Sequence, residues 1–167
     1  AGTVTALSSG EGRLLQALWD RIIPVLHAGE ELPRSCYLQV SRRALAGAAF
    51  AHQDLNLENA RIAFLPASNR DFEDFCRVFG LDAAPFAPLL SRAGLQADMP
   101  ISRWHEGWHP SHQDKFARLV ADPAFQVEVR RQQAPASEAL QHYLASLGFF
   151  TQDRVAVLDI GWLGSIQ

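Results

Sequence analysis

Arg154-Val-Ala-Val-Leu-Asp-Ile-Gly-Trp-Leu-Gly-Ser-Ile-Gln167 is the stretch that decides how the rest of the chain is read. Val155 to Leu158 form a continuous apolar run after a helical pattern and before a glycine-rich turn. Such a run reads as a buried strand of a parallel sheet. Asp159 stands where that strand leaves the sheet, Gly161 and Gly164 permit a tight turn, and Ser165-Ile166-Gln167 begins a helix. A strand, a glycine turn and a helix start together make an anion site, because free backbone N–H groups and the positive dipole end face one point. In open α/β sheets, ligands sit at the carboxyl ends of the strands. Gly161, Trp162, Gly164 and Ser165 are therefore candidate phosphate-binding residues. The motif runs to the last residue, so the expectation is a piece of a longer chain.

Working outward, the same arrangement recurs at the other end. Thr3-Val-Thr-Ala-Leu7 is a short β-prone run and Ser8-Ser9-Gly10-Glu11-Gly12 a turn. Arg13 to His27 then carries helical spacing, with Leu14, Leu15, Leu18, Trp19, Ile22 and Leu26 on one face. Pro24 kinks or ends that helix and Gly29 marks its stop. Ser9, Gly10 and Glu11 form a second candidate ligand loop, with an ordinary strand–helix connection as the alternative. Cys36-Tyr-Leu-Gln-Val40 reads as the next strand, followed by Ser41-Arg42-Arg43 and a helix from Ala44 to Phe50. Cations oppose the dipole at a helix N-terminus. Two arginines there suit a phosphate or diphosphate clamp, the alternative being a solvated basic helix start.

Residues 54 to 101 carry no chemical motif. Ser68 with Asp71 begins a helix whose Phe72, Phe75, Cys76 and Phe79 make an apolar core stripe, ended by Gly80. Ala84 to Arg92 is a short helix closed by Gly94, and Gln113 to Ala121 another. Asp122-Pro123 opens a further helix, and Ser137 to Leu147 is the last, with Gly148 after it. The predicted fold class is α/β: a Rossmann-like, mostly parallel sheet with a helical insertion, in one domain over 1–167 with a helical lobe at roughly 54–150.

His105-Glu106-Gly107-Trp108-His109 matches the zinc-protease pattern H-E-x-x-H. That chemistry needs both histidines on one face of a stable helix, with the glutamate as base. Gly107 within the motif and Pro110 directly after it oppose a helix. An aromatic loop over a cleft or an acceptor surface is the preferred reading, with adventitious metal binding by His105, His109 and His112 as the lesser one.

Composition narrows the classes. In 167 residues with 48 % apolar and 20 % charged content there is room for a real core. A net charge of −3 argues against a general nucleic-acid binder. Lys115 is the only lysine. Cys36 and Cys76 fall in apolar patterns and read as core thiols of a reducing compartment. No apolar run approaches the roughly 18 residues that span a bilayer. With no signal-peptide pattern, the expected location is the cytoplasm.

Two motifs carry a resemblance. Tyr37-Leu-Gln-Val-Ser-Arg-Arg-Ala44 and Asp159-Ile-Gly-Trp-Leu-Gly-Ser-Ile-Gln167 resemble the second domain of two-domain bacterial proteins from surface-polysaccharide gene clusters. There the domain follows a haloacid-dehalogenase-type phosphatase domain. Ala139-Leu-Gln-His-Tyr-Leu-Ala-Ser-Leu-Gly148 is similar to the helix that precedes the final strand in that family. The family's first strand ends in A-R-D-G. This chain departs from it with Leu7-Ser-Ser-Gly-Glu-Gly12, which lacks the arginine and offers at best Glu11 for the aspartate.

The resemblance implies a glycan-directed phosphoribosyltransferase. Phosphoribosyl diphosphate, or another phosphorylated sugar donor, would be bound at Arg42, Arg43, Gly161, Trp162, Gly164, Ser165, Ser9, Gly10 and Glu11. A glycan would be the acceptor, and a phosphatase domain in the same or a neighbouring chain would remove the 5-phosphate. Asp159 would be the catalytic residue and the carboxylate for Mg²⁺, which neutralises the leaving diphosphate. The alternative is a non-catalytic α/β module binding glycan or a partner enzyme, with Trp104, Trp108 and Trp162 as sugar-stacking platforms.

Overall fold

The computed structural model describes residues 3–8, 12–29, 34–65, 68–103 and 107–159. It opens with strand β1 (Thr3–Ser8), helix α1 (Gly12–Leu26), strand β2 (Arg34–Tyr37) and helix α2 (Arg42–Phe50). Helices α3 (Leu57–Ala60), α4 (Phe72–Phe79) and α5 (Ala87–Ala93) follow. A ribbon of β3 (Ser102–Arg103) and β4 (Gly107–Trp108) leads to α6 (Gln113–Val120), the long α7 (Pro123–Ser146) and strand β5 (Arg154–Asp159). Two compact units result: Ala1–Leu45 with Ala139–Gln167, and Ala46–Glu138. The divisions between them fall at 45–46 and 138–139.

The expected Rossmann-like, mostly parallel sheet is overturned. Helix dominates the chain, and parallel pairing stops at three strands of 6, 4 and 6 residues. The other sheet is an antiparallel ribbon of two residues per strand. The physical reason lies between β2 and β5. There the apolar residues recur at helical rather than alternating spacing, so they build helix-on-helix packing and add no parallel strands.

In the first unit, β1 is central, with β2 and β5 parallel to it on either side. β2 is shorter than its apolar pattern. Leu38, Gln39 and Val40 leave the ladder, and the Gln39 N–H donates to the Tyr143 hydroxyl at 2.8 Å. Leu38 and Cys36 are buried against Val40, Leu144, Leu147 and Phe149. α1 lies against β1 and β2. Part of its apolar face is uncovered, with Leu14 62 %, Ile22 47 % and Val25 76 % exposed.

The second unit is held by an aromatic core. Phe72, Phe75, Cys76 and Phe79 of α4 are all buried, as their spacing predicts. Asp71 caps α4 by accepting from the Asp74 N–H at 2.9 Å, and Gly80 ends it at φ 71°. Phe72 packs edge-on to Phe86, and Phe75 to Phe79 and Phe116. Such pairs add about 0.5–1.5 kcal/mol each beyond their area burial. Among the described residues no helix is long and apolar enough to cross a membrane.

Candidate functional site

The parallel register gathers three strand ends on one edge. Leu7 lies opposite Tyr37 on one side and Leu158 on the other, and the next pair outward is Ser8 with Asp159. α1 starts at Gly12, shortly after β1 ends, and α2 starts at Arg42, shortly after β2 ends. Both helices therefore begin at the carboxyl edge of the sheet. The chain leaves β1 toward β2 and finally returns on β1's other side as β5. Strand connections diverge at such a point, which leaves a crevice at the carboxyl ends.

Asp159 is the last residue of β5 and lies in register with Ser8. Arg42 and Arg43 open α2. They are the first helical residues, where the sequence reading had placed them just before the helix. Ser41 caps that helix, its Oγ accepting from the Ala44 N–H at 3.2 Å. Ser9, Gly10, Glu11, Gly161, Trp162, Gly164 and Ser165 lie outside the described residues.

Two residues at this edge were missed. Arg13 sits in the first turn of α1 with its guanidinium carbon 5.7 Å from the centre of the Tyr37 ring. Its place directly after a strand–glycine turn was the available signal. Tyr143 holds the β2–α2 connector through Gln39, across 104 residues of sequence, and nothing local announces it.

The His105–His109 segment does not form the zinc-protease helix. Gly107 and Trp108 are strand β4, with Gly107 at φ 74°, and His105 and Glu106 lie outside the described residues. His109 and His112 stack with ring centres 4.1 Å apart and planes 13° apart. Lone pairs lie in the ring plane, so two stacked imidazoles do not aim at one ion. His112 Nδ1 donates to the Pro100 carbonyl at 2.7 Å, and His109 Nδ1 accepts from the Ser111 N–H at 3.3 Å. Trp108 packs against Phe64 and Phe116, with ring centres 5.2 and 5.8 Å away, so it serves the core more than a sugar face. Trp104 and Trp162 lie outside the described residues.

Cys76, Gln126 and Asp54 of the second unit are tied to their surroundings. Burial pushes the Cys76 thiol up to about 12, with the Asp82, Glu73 and Asp71 charges adding to it. A groove of about 260 Å³ lies between Leu55, Leu57, Ala117 and Val120. Its floor is Gln126, whose amide accepts from the Leu55 N–H and donates to the Leu55 carbonyl. Asp54 on its rim pairs with Arg130.

Neither family models nor curated proteins nor solved structures give a match to this chain.

Proposed function

We propose that the carboxyl edge of the three-stranded sheet binds a phosphorylated sugar donor. On this reading the chain is a transferase domain. It places a phosphoribosyl group from phosphoribosyl diphosphate on a glycan in surface-polysaccharide synthesis. The observation that carries the reading is the register, with Ser8 beside Asp159 and the starts of α1 and α2 on the same edge. Both helices lack an acidic residue in the first turn, the opposite of what the helix dipole favours in the absence of an anion.

The residues divide the work. Arg42 and Arg43 bind the diphosphate as it leaves, and helix N–H groups take its oxygens. Mg²⁺ suits the site chemically, because it is held by one or two carboxylates plus substrate phosphates, and Asp159 supplies a carboxylate at the strand end. When bound, the ion neutralises charge on the leaving group. Calorimetry tests the reading directly. The chain should bind phosphoribosyl diphosphate in the presence of Mg²⁺, and Asp159→Ala should weaken that binding at least about tenfold, the loss of a charge-assisted contact. No binding by the unaltered chain would sink the proposal.

A second reading is a non-catalytic module that binds a partner enzyme. The uncovered apolar face of α1, with Leu14, Ile22 and Val25, favours it. Under that reading the donor does not bind, and Asp159→Ala changes nothing.

A further inference from the structure

We propose that Arg13 is a phosphate-contacting cation of the carboxyl edge, and that the Tyr37 ring is the platform that holds it there. The inference rests on the reading of that edge as a phosphorylated-donor site, and it adds Arg13, which lies outside the motifs.

Three observations carry it. Tyr37 is the last residue of β2 and lies opposite Leu7, one position before the Ser8–Asp159 pair. Its ring is therefore at the edge where the strands end. Arg13 stands in the first turn of α1, the helix that begins just past β1. Its guanidinium carbon lies 5.7 Å from the Tyr37 ring centre, within the roughly 6 Å reach of a cation–π contact.

The chemistry explains why this placement is useful. A ring face attracts a guanidinium without consuming its N–H donors. Among the described residues Arg13 is thus oriented by Tyr37 with its donor fork left for two phosphate oxygens. A carboxylate partner would have taken that fork. Arg13 is exposed, as an incoming anion requires. Asp20, the single acid of α1, is a later-turn residue that accepts from the Ser35 hydroxyl at 2.6 Å.

The helix starts agree. A cation in a first turn opposes the helix dipole. α1 carries Arg13 there with no acid in the same turn, and α2 opens with Arg42 and Arg43, again with no acid in that turn. Two helices that both begin with cations on one sheet edge make physical sense around a shared anion. A diphosphate is the ligand class, because its several oxygens accept from more than one arginine.

The test is calorimetry on the intact chain with two probes, inorganic pyrophosphate and phosphoribosyl diphosphate, each with Mg²⁺. Arg13→Gln should weaken both about tenfold, the loss of one charge-assisted bidentate contact. Arg13→Lys should recover part of that loss, since a point charge replaces a fork. Tyr37→Phe keeps the ring and should bind like the unaltered chain, whereas Tyr37→Leu should weaken binding several-fold. Circular dichroism should show the same melting for Arg13→Gln as for the unaltered chain. If Arg13→Gln binds both probes as well as the unaltered chain, Arg13 has no such role and the donor-site reading survives. If Arg13→Gln weakens binding but Tyr37→Leu does not, the platform is wrong. If the unaltered chain binds neither probe, the donor-site reading fails and takes Arg13's role with it.

Discussion

Glu128 holds three donors from its own helix. Arg131 Nε and Nη2 reach its two oxygens at 2.8 and 2.6 Å, and Gln132 Nε2 adds a third contact at 2.8 Å. The Arg131 hydrogen bonds are the main reason its carboxyl falls from 4.5 to about 2. A lowered carboxyl stabilises the fold above its unfolded value and loses that contribution as pH falls through the folded one. The melting-temperature gap between the unaltered chain and Glu128→Gln should therefore be present above pH 4.5 and close as pH falls toward 2. It should be small throughout, because the pair sits at the surface and solvent screens it. A gap that persists unchanged at pH 2 would contradict this account. Neither residue announced the pair by anything more than the i, i+3 spacing that lets side chains on one helix meet.

At the scale of elements, α7 departs most from its local signals. The sequence reads as two helices, one starting at Pro123 and another at Ser137, yet the structure runs unbroken from Pro123 to Ser146 through Pro135. Proline removes one helix hydrogen bond. Here it lies on the exposed side, while the buried stripe continues past it from Val129 through Gln133 to Ser137. Packing of that stripe outweighs the missing bond. Gln133 donates to the Phe79 carbonyl at 2.9 Å, and a Cβ on Gly47 would sit 2.5 Å from its Oε1. Gly47→Ala should thus push Gln133 off its partner and destabilise the fold by about 1–3 kcal/mol, read as a lower urea midpoint. An unchanged midpoint would mean that Gln133 swings aside freely. α4 shows the opposite case. Its Asp71 start, its Phe72–Phe79 stripe and its Gly80 stop were all legible, because caps and periodicity are local. β2 ended early because Gln39 found Tyr143, a partner no local pattern encodes.

Across the whole molecule, the two units differ in what they bury. The second is built on Phe72, Phe75, Phe86, Phe116 and Phe125, all inaccessible to solvent. In the first, α1 leaves Leu14, Ile22 and Val25 largely in water. Local opening is cheapest where few apolar contacts are lost. Hydrogen exchange should therefore find the slowest amides in α4, α6 and the 123–137 part of α7. Amides of α1 should exchange at least about tenfold faster. Equal protection in α1 and α4 would show that the exposed face of α1 is covered in solution.

Sequence alone determined the pieces that rest on near neighbours: most helices, several of their caps and the three parallel strands. It determined Asp159 as a strand-end carboxylate for the same reason, since an apolar run followed by a glycine turn is read within a few residues. Helical spacing between β2 and β5 already limits how much of the chain is sheet, and tertiary structure alone decided which strands pair and in what order. It also decided that Ser8 stands beside Asp159 and that Arg13 rests over Tyr37. The stacking of His109 on His112 follows from the turn between Trp108 and α6, and there the motif's letters were read without their geometry. Pairing across distance is set by packing and register, which no local pattern of residues carries.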